Sequence, residues 1–76
     1  MYRKTVSILV VSREILEGSV VDRNAAFMAN RIDGLGYRVM SIQVVDRAEA
    51  EMVAAIRQAI EQQPTYLIIT GGIGPS

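Results

Sequence analysis

Cysteine and histidine are both absent from the 76 residues. Their absence excludes a disulfide framework, a Cys/His zinc site, a thiol nucleophile and a histidine general base. A surplus of charge is missing too, since eight Lys+Arg balance eight Asp+Glu. The basic residues Arg3, Lys4, Arg13, Arg23, Arg31, Arg38, Arg47 and Arg57 are scattered along the chain. A nucleic-acid surface clusters them and carries net positive charge, so no nucleic-acid partner is expected. Long apolar runs are also lacking. The stretches 8–11 and 52–56 fall far short of the ~20 residues that cross a bilayer. The basic start at Met1-Tyr2-Arg3-Lys4 leads through a short apolar stretch to Arg13 and Glu14. No small-residue cleavage site follows, so neither a signal peptide nor a membrane partner is expected, and a cytoplasmic location is the default.

Length is the remaining shortage. A chain of this size buries only roughly 60% of its unfolded surface, and small domains usually compensate with disulfides or a structural metal. Half of the residues are hydrophobic, which excludes a disordered chain.

The pattern alternates strands and helices. Residues 6–11, Val-Ser-Ile-Leu-Val-Val, are β-branched and apolar in both parities, as in a strand buried on both faces of a parallel sheet. Residues 13–21 read as a connection containing Gly18. Asp22 offers a carboxylate to cap a helix. Ala25, Met28, Ile32 and Leu35 recur at helical spacing, and Gly36 supplies a left-handed stop. Residues 38–45 form a second strand in which Met40, Ile42 and Val44 alternate with Val39, Ser41 and Gln43. Asp46 begins a second helix, with Asp46 and Glu49 at capping-box spacing. Val53, Ile56 and Ile60 make its apolar stripe, and Pro64 ends it. Residues 66–70, Tyr-Leu-Ile-Ile-Thr, form a third strand. Met28, Met40 and Met52 sit at core spacing and read as packing. Tyr37 and Tyr66 stand at strand starts and read as structural.

This β-α-β-α-β order predicts an α/β fold with a parallel sheet between helical layers. Crossovers are right-handed almost without exception. An order of 1-2-3 would put both helices on one face, whereas 2-1-3 reverses direction and covers both. The first strand is apolar on both sides and suits the centre. The expected architecture is therefore three-layer α/β/α with strand order 2-1-3. Ligands of open α/β sheets bind beyond the carboxyl ends of the strands where the order reverses. That point lies between strands one and three, bordered by residues 12–21 and 71–76.

The chemistry-bearing candidates lie on those two loops. Gly71, Gly72 and Gly74 permit close backbone approach and positive φ, and such turns expose N–H groups that hold phosphate. The alternative is a tight turn that needs glycine for geometry alone. The loop is not a Walker motif, because the Lys-Ser/Thr ending is absent. Asp22 and Asn24 start a helix, where capping is the plainer role and a ligand hydroxyl or amide the further one. Glu14 directly follows a strand end. It is either a solvated surface carboxylate or a ligand for Mg²⁺ or a sugar hydroxyl. Arg13 can pair with Glu17 or meet a phosphate.

The stretch Ser12-Arg13-Glu14-Ile15-Leu16-Glu17-Gly18-Ser19-Val20-Val21-Asp22-Arg23-Asn24-Ala25-Ala26 resembles the first signature of the molybdopterin-binding domain. That domain is shared by molybdenum-cofactor biosynthesis proteins and competence/damage-inducible, CinA-like proteins. The CinA-like branch reads G-D-E-[IL]-L-x-G-x-[IV]-x-D-T-N. Its second signature, T-G-G-[LI]-G-P-T, is similar to Thr70-Gly71-Gly72-Ile73-Gly74-Pro75-Ser76. Ser12 and Arg13 stand where Gly and Asp are usual, Arg23 where Thr is usual, and Ser76 where Thr is usual. The family's pair of aspartates beyond the Gly-Pro motif is not within these residues.

The resemblance implies a ligand held over the glycine loop. That ligand is molybdopterin or a nucleotide phosphate, with Mg²⁺ as a companion. Alternatives are a CinA-like ADP-ribose pyrophosphatase domain and a non-catalytic binding or oligomerisation module. The implied ligand-binding set is Ser12, Glu14, Gly18, Asp22, Asn24, Thr70, Gly71, Gly72, Gly74, Pro75 and Ser76, with Glu14 as a metal ligand. Residues 1–76 are expected to be the N-terminal part of one such α/β domain, truncated within it. A homo-oligomer is expected, because an unpaired strand edge invites pairing.

Overall fold

The computed structural model describes residues 3–71. Strand β1 (Thr5–Val11) is followed by helices α1 (Arg13–Leu16) and α2 (Asn24–Gly34), strand β2 (Arg38–Val45), helix α3 (Glu49–Glu61) and strand β3 (Tyr66–Gly71). The three strands are parallel in the order β2-β1-β3, so the expected α/β sheet topology is the one observed.

Burial explains the order. Every residue from Val6 to Val11 is buried in the central strand. Val6, Ile8 and Val10 form one core with Ala25, against which Met28, Ala29, Ile32 and Ile68 pack. The alternate residues Leu9 and Val11 are equally buried and belong to the opposite face, where α3 contacts β1 and β2. Fully burying each such side chain contributes about 1.5–3 kcal/mol. Ser7 shares the second parity and is buried, but it accepts a hydrogen bond from the Ser41 hydroxyl at 3.1 Å. That pairing removes the desolvation cost of an unmatched hydroxyl.

Several sequence expectations need correction. The connection after β1 contains a short helix, α1, so the described chain has three helices rather than two. Ser12 and Gly18 create it. The Ser12 hydroxyl accepts from the Ile15 N–H at 3.2 Å as an N-cap. Gly18 ends the helix at φ +79, where its N–H reaches the Ile15 carbonyl and the Ser19 N–H reaches that of Glu14. This pair of bonds is a Schellman termination.

Helix α2 is capped as expected, since the Asp22 carboxylate accepts from the Asn24 and Ala25 N–H groups at 3.1 Å each. Leu35 lies outside its buried stripe and is 75% exposed. Helix α3 begins at Glu49 rather than Asp46, and no side chain caps its Ala48. The Asp46–Glu49 capping box does not form, because the Asp46 carboxylate is taken by Arg13 and the Ala48 N–H. The buried face of α3 is Ala55 and Ala59, whereas Val53 and Ile60 are exposed. Small side chains let that face sit close to β1, which rotates the larger apolar residues outward. Finally, β2 does not alternate throughout. The register shifts so that Val39 pairs with Val6 and Ser41 with Ser7. Met40 is the inserted residue, and Val39 and Val44 both reach the α2-side core. A bulge of one residue exchanges the faces of everything after it.

Tyr37 and Tyr66 meet beside the strand starts, with ring centroids 6.1 Å apart and planes tilted by 50°. This packing is the structural role expected of them.

Candidate functional site

Parallel strands bring their carboxyl ends to one side of the sheet, where Val11, Val45 and Gly71 lie. The Ser12 N–H donates to the Val45 carbonyl at 2.9 Å, which ties the exit of β1 to the exit of β2. A cleft of about 170 Å³ opens there. Its floor is Val10 and Val11, and β3 contributes Thr70 and Gly71. The loop after β1 contributes Ser12, Glu14 and Ile15, and the start of α2 contributes Asp22 and Asn24. The cleft therefore lies where the strand order reverses. Its described part is smaller than the roughly 300–1,000 Å³ of a site for a whole drug-sized ligand.

Of the residues expected in the site, Ser12, Glu14, Asp22, Asn24, Thr70 and Gly71 all border this cleft. Gly18 does not, since its place is at the end of α1. Gly72, Gly74, Pro75 and Ser76 lie outside the described residues. Arg47, at the exit of β2, also borders the cleft and was not expected there. The available signal was positional, because Arg47 follows a strand's carboxyl end much as Glu14 does.

Gly71 separates two readings of the glycine loop. Its φ is +112, and a Cβ added to it would overlap the carbonyl oxygen of Val11, its ladder partner. Geometry alone therefore demands glycine here, whatever the ligand. The carboxylates are anchored differently. Glu14 Oε2 accepts from the Ser12 hydroxyl at 3.3 Å, whereas one Asp22 oxygen is engaged by two backbone N–H groups.

Arg13 neither pairs with Glu17 nor borders the cleft. Its Nε lies 3.1 and 3.2 Å from the two Asp46 oxygens, and Nη2 lies 3.1 Å from Oδ1. The hydrogen bond from Arg13 holds the Asp46 carboxyl below its ordinary pKa, and the same contact raises that of Arg13. The charge reversal at position 13 is thus absorbed by a partner on the neighbouring loop.

No group of three or more potential metal ligands is present among the described residues. Glu14 and Asp22 fit Mg²⁺ only in the mode that uses one or two carboxylates and completes the shell with ligand phosphates and water. No helix of the described residues is long and apolar enough to cross a membrane.

Residues 7–76 match the family described as "Probable molybdopterin binding domain". A protein of Sulfurisphaera tokodaii is 42% identical over 69 residues, covering 91% of this chain and 26% of that protein. A protein of Pyrococcus horikoshii is 41% identical over the same length, covering 91% and 27%. The crystal structure of the protein CinA with unknown function from Thermoplasma acidophilum superposes with a TM-score of 0.86 at 36% identity. It covers 97% of this chain and 43% of that one. The chain thus spans about a quarter of the length of the curated relatives it matches. First-signature residues that share a switch-point cleft with Thr70 and Gly71, a matching fold and a match over nearly the whole sequence agree: this chain belongs to the molybdopterin-binding domain family.

Proposed function

We propose that the cleft binds the phosphate-bearing part of a molybdopterin or of a nucleotide. The observation that supports this is the convergence of the first-signature residues Ser12, Glu14, Asp22 and Asn24 with Thr70 and Gly71 of the second, around one opening. Asn24 and Thr70 offer neutral hydrogen-bonding groups for hydroxyl and phosphate oxygens. Glu14 and Asp22 suit ribose or pterin donors, or a Mg²⁺ ion that arrives with the phosphates. Gly72, Gly74, Pro75 and Ser76 of the second signature are also proposed as ligand-binding residues. Residues 1–76 act as the N-terminal part of a larger α/β domain, a reading supported by the 43% coverage of the CinA chain.

Binding without turnover is the reading favoured for these residues over pyrophosphate hydrolysis. The acid usual at position 13 is an arginine committed to Asp46, and histidine and cysteine are absent. Isothermal titration with ADP-ribose and with ATP, each with Mg²⁺, tests the proposal. Saturable heat is expected with at least one of them, and no release of AMP from ADP-ribose. Absence of any binding would defeat the ligand reading, and AMP release would defeat the non-catalytic one.

A further inference from the structure

The cleft has a charge problem. Two carboxylates, Glu14 and Asp22, border it, and an anionic ligand would meet their repulsion. Among the described residues Arg47 is the one cation on the cleft wall. The nearby Arg13 is withdrawn by its two-pronged contact with Asp46. Asp46 immediately precedes Arg47, and it is a hub. It holds the Arg13 guanidinium from the start of α1 and accepts from the Ala48 N–H at 3.2 Å. One carboxylate therefore holds the backbone just after Arg47 and is itself braced against the start of α1. Among the described residues Asp46 makes its ion pair with Arg13 and none with the Arg47 side chain beside it.

We propose that Arg47 is the residue that reads the anionic group of the ligand, and that the Arg13–Asp46 pair is the positioning strut that holds it at the cleft. This rests on the phosphate-binding reading above and deepens it by assigning recognition to a residue outside both signatures. The two arginines divide the work. A planar guanidinium suits the two-oxygen geometry of a carboxylate as well as that of a phosphate. Arg13 uses that geometry internally, and Arg47 offers it to the ligand.

Titration of the full chain with inorganic pyrophosphate, without divalent cations, reads the protein's own cation. The parent is expected to bind, with affinity that falls as salt rises. Arg47→Gln is expected to weaken binding about tenfold or more and to flatten the salt dependence. Because Arg47 is exposed, this variant keeps its fold, which thermal unfolding verifies. Arg13→Met is expected to weaken binding several-fold and Arg13→Lys less. In the Arg47→Gln background, Arg13→Met is expected to add nothing, because its effect runs through Arg47. Pyrophosphate binding by Arg47→Gln within twofold of the parent overturns the assignment of Arg47. Additive losses in the double variant overturn the strut. A parent that binds ADP-ribose but not pyrophosphate overturns this inference and leaves the ligand reading standing. A parent that binds neither defeats both.

Discussion

Gly71→Ala and Gly18→Ala form a matched pair that isolates why glycine stands in each signature. Both residues have positive φ, +79 at Gly18 and +112 at Gly71. At Gly18 an added Cβ meets nothing within 4 Å. The cost there is conformational alone, about 1–2 kcal/mol for an L-residue in the left-handed region. At Gly71 the dihedral lies beyond that region, which costs about 1–3 kcal/mol. The added Cβ also meets the Val11 backbone, with its carbonyl carbon at 2.9 Å and its nitrogen at 3.0 Å. Val11 is buried in the central strand, so the backbone has little room to yield. Overpacking of this kind adds about 1–3 kcal/mol. Gly71→Ala should therefore lose about 2–6 kcal/mol, against a total stability of about 4–11 kcal/mol for a chain of this length. Urea unfolding followed by circular dichroism measures both variants, and the slope should be unchanged. Equal losses in the two variants would refute the argument. They would leave the positive φ at Gly71, and not the contact with Val11, as the geometric reason for glycine there.

Two further outcomes are expected. The Asp46 carboxyl has its folded pKa below the unfolded value near 3.8. Its contribution is therefore fully present above that value and is lost as pH falls through the folded one. Asp46→Asn should lower the thermal midpoint at neutral pH, and the difference from the parent should narrow in acid. A gap that stays constant down to about pH 2 would count against the pair. The outer edge of β3 carries no paired strand among the described residues, and such edges recruit other chains. Light scattering should show self-association that rises with concentration, and a monomer at about 1 mM would sink that idea.

The signatures were legible because they combine chemistry with local geometry. Asp22 acts within three residues of itself, as the cap of α2, so the sequence carries its role directly. The short helix that Ser12 and Gly18 create reads as a connection in the sequence, since four residues show no periodicity. Arg47 carries only a positional signal, for a different reason. It belongs to neither signature, and only the parallel pairing of β2 with β1 brings it to the cleft. The face of α3 was misread because Val53, Ile56 and Ile60 keep perfect helical spacing, while contact distance to the sheet selects the alanines.

What the sequence by itself determined is the set of local and pairwise-periodic features. These are the doubly apolar central strand, the order β2-β1-β3, the Asp22 cap of α2, and hence the end of the sheet where the cleft opens. Hydrophobic pattern and chain handedness suffice for these, since burial of β1 leaves few other arrangements. Tertiary structure alone decided the one-residue bulge in β2, the buried Ser7–Ser41 pair, and the rotation of α3. It also decided the pairing of Arg13 with Asp46, which lie 33 positions apart. That last choice depends on which loops the sheet sets side by side. A guanidinium takes the carboxylate it can reach with both prongs, and reach is a property of the folded chain.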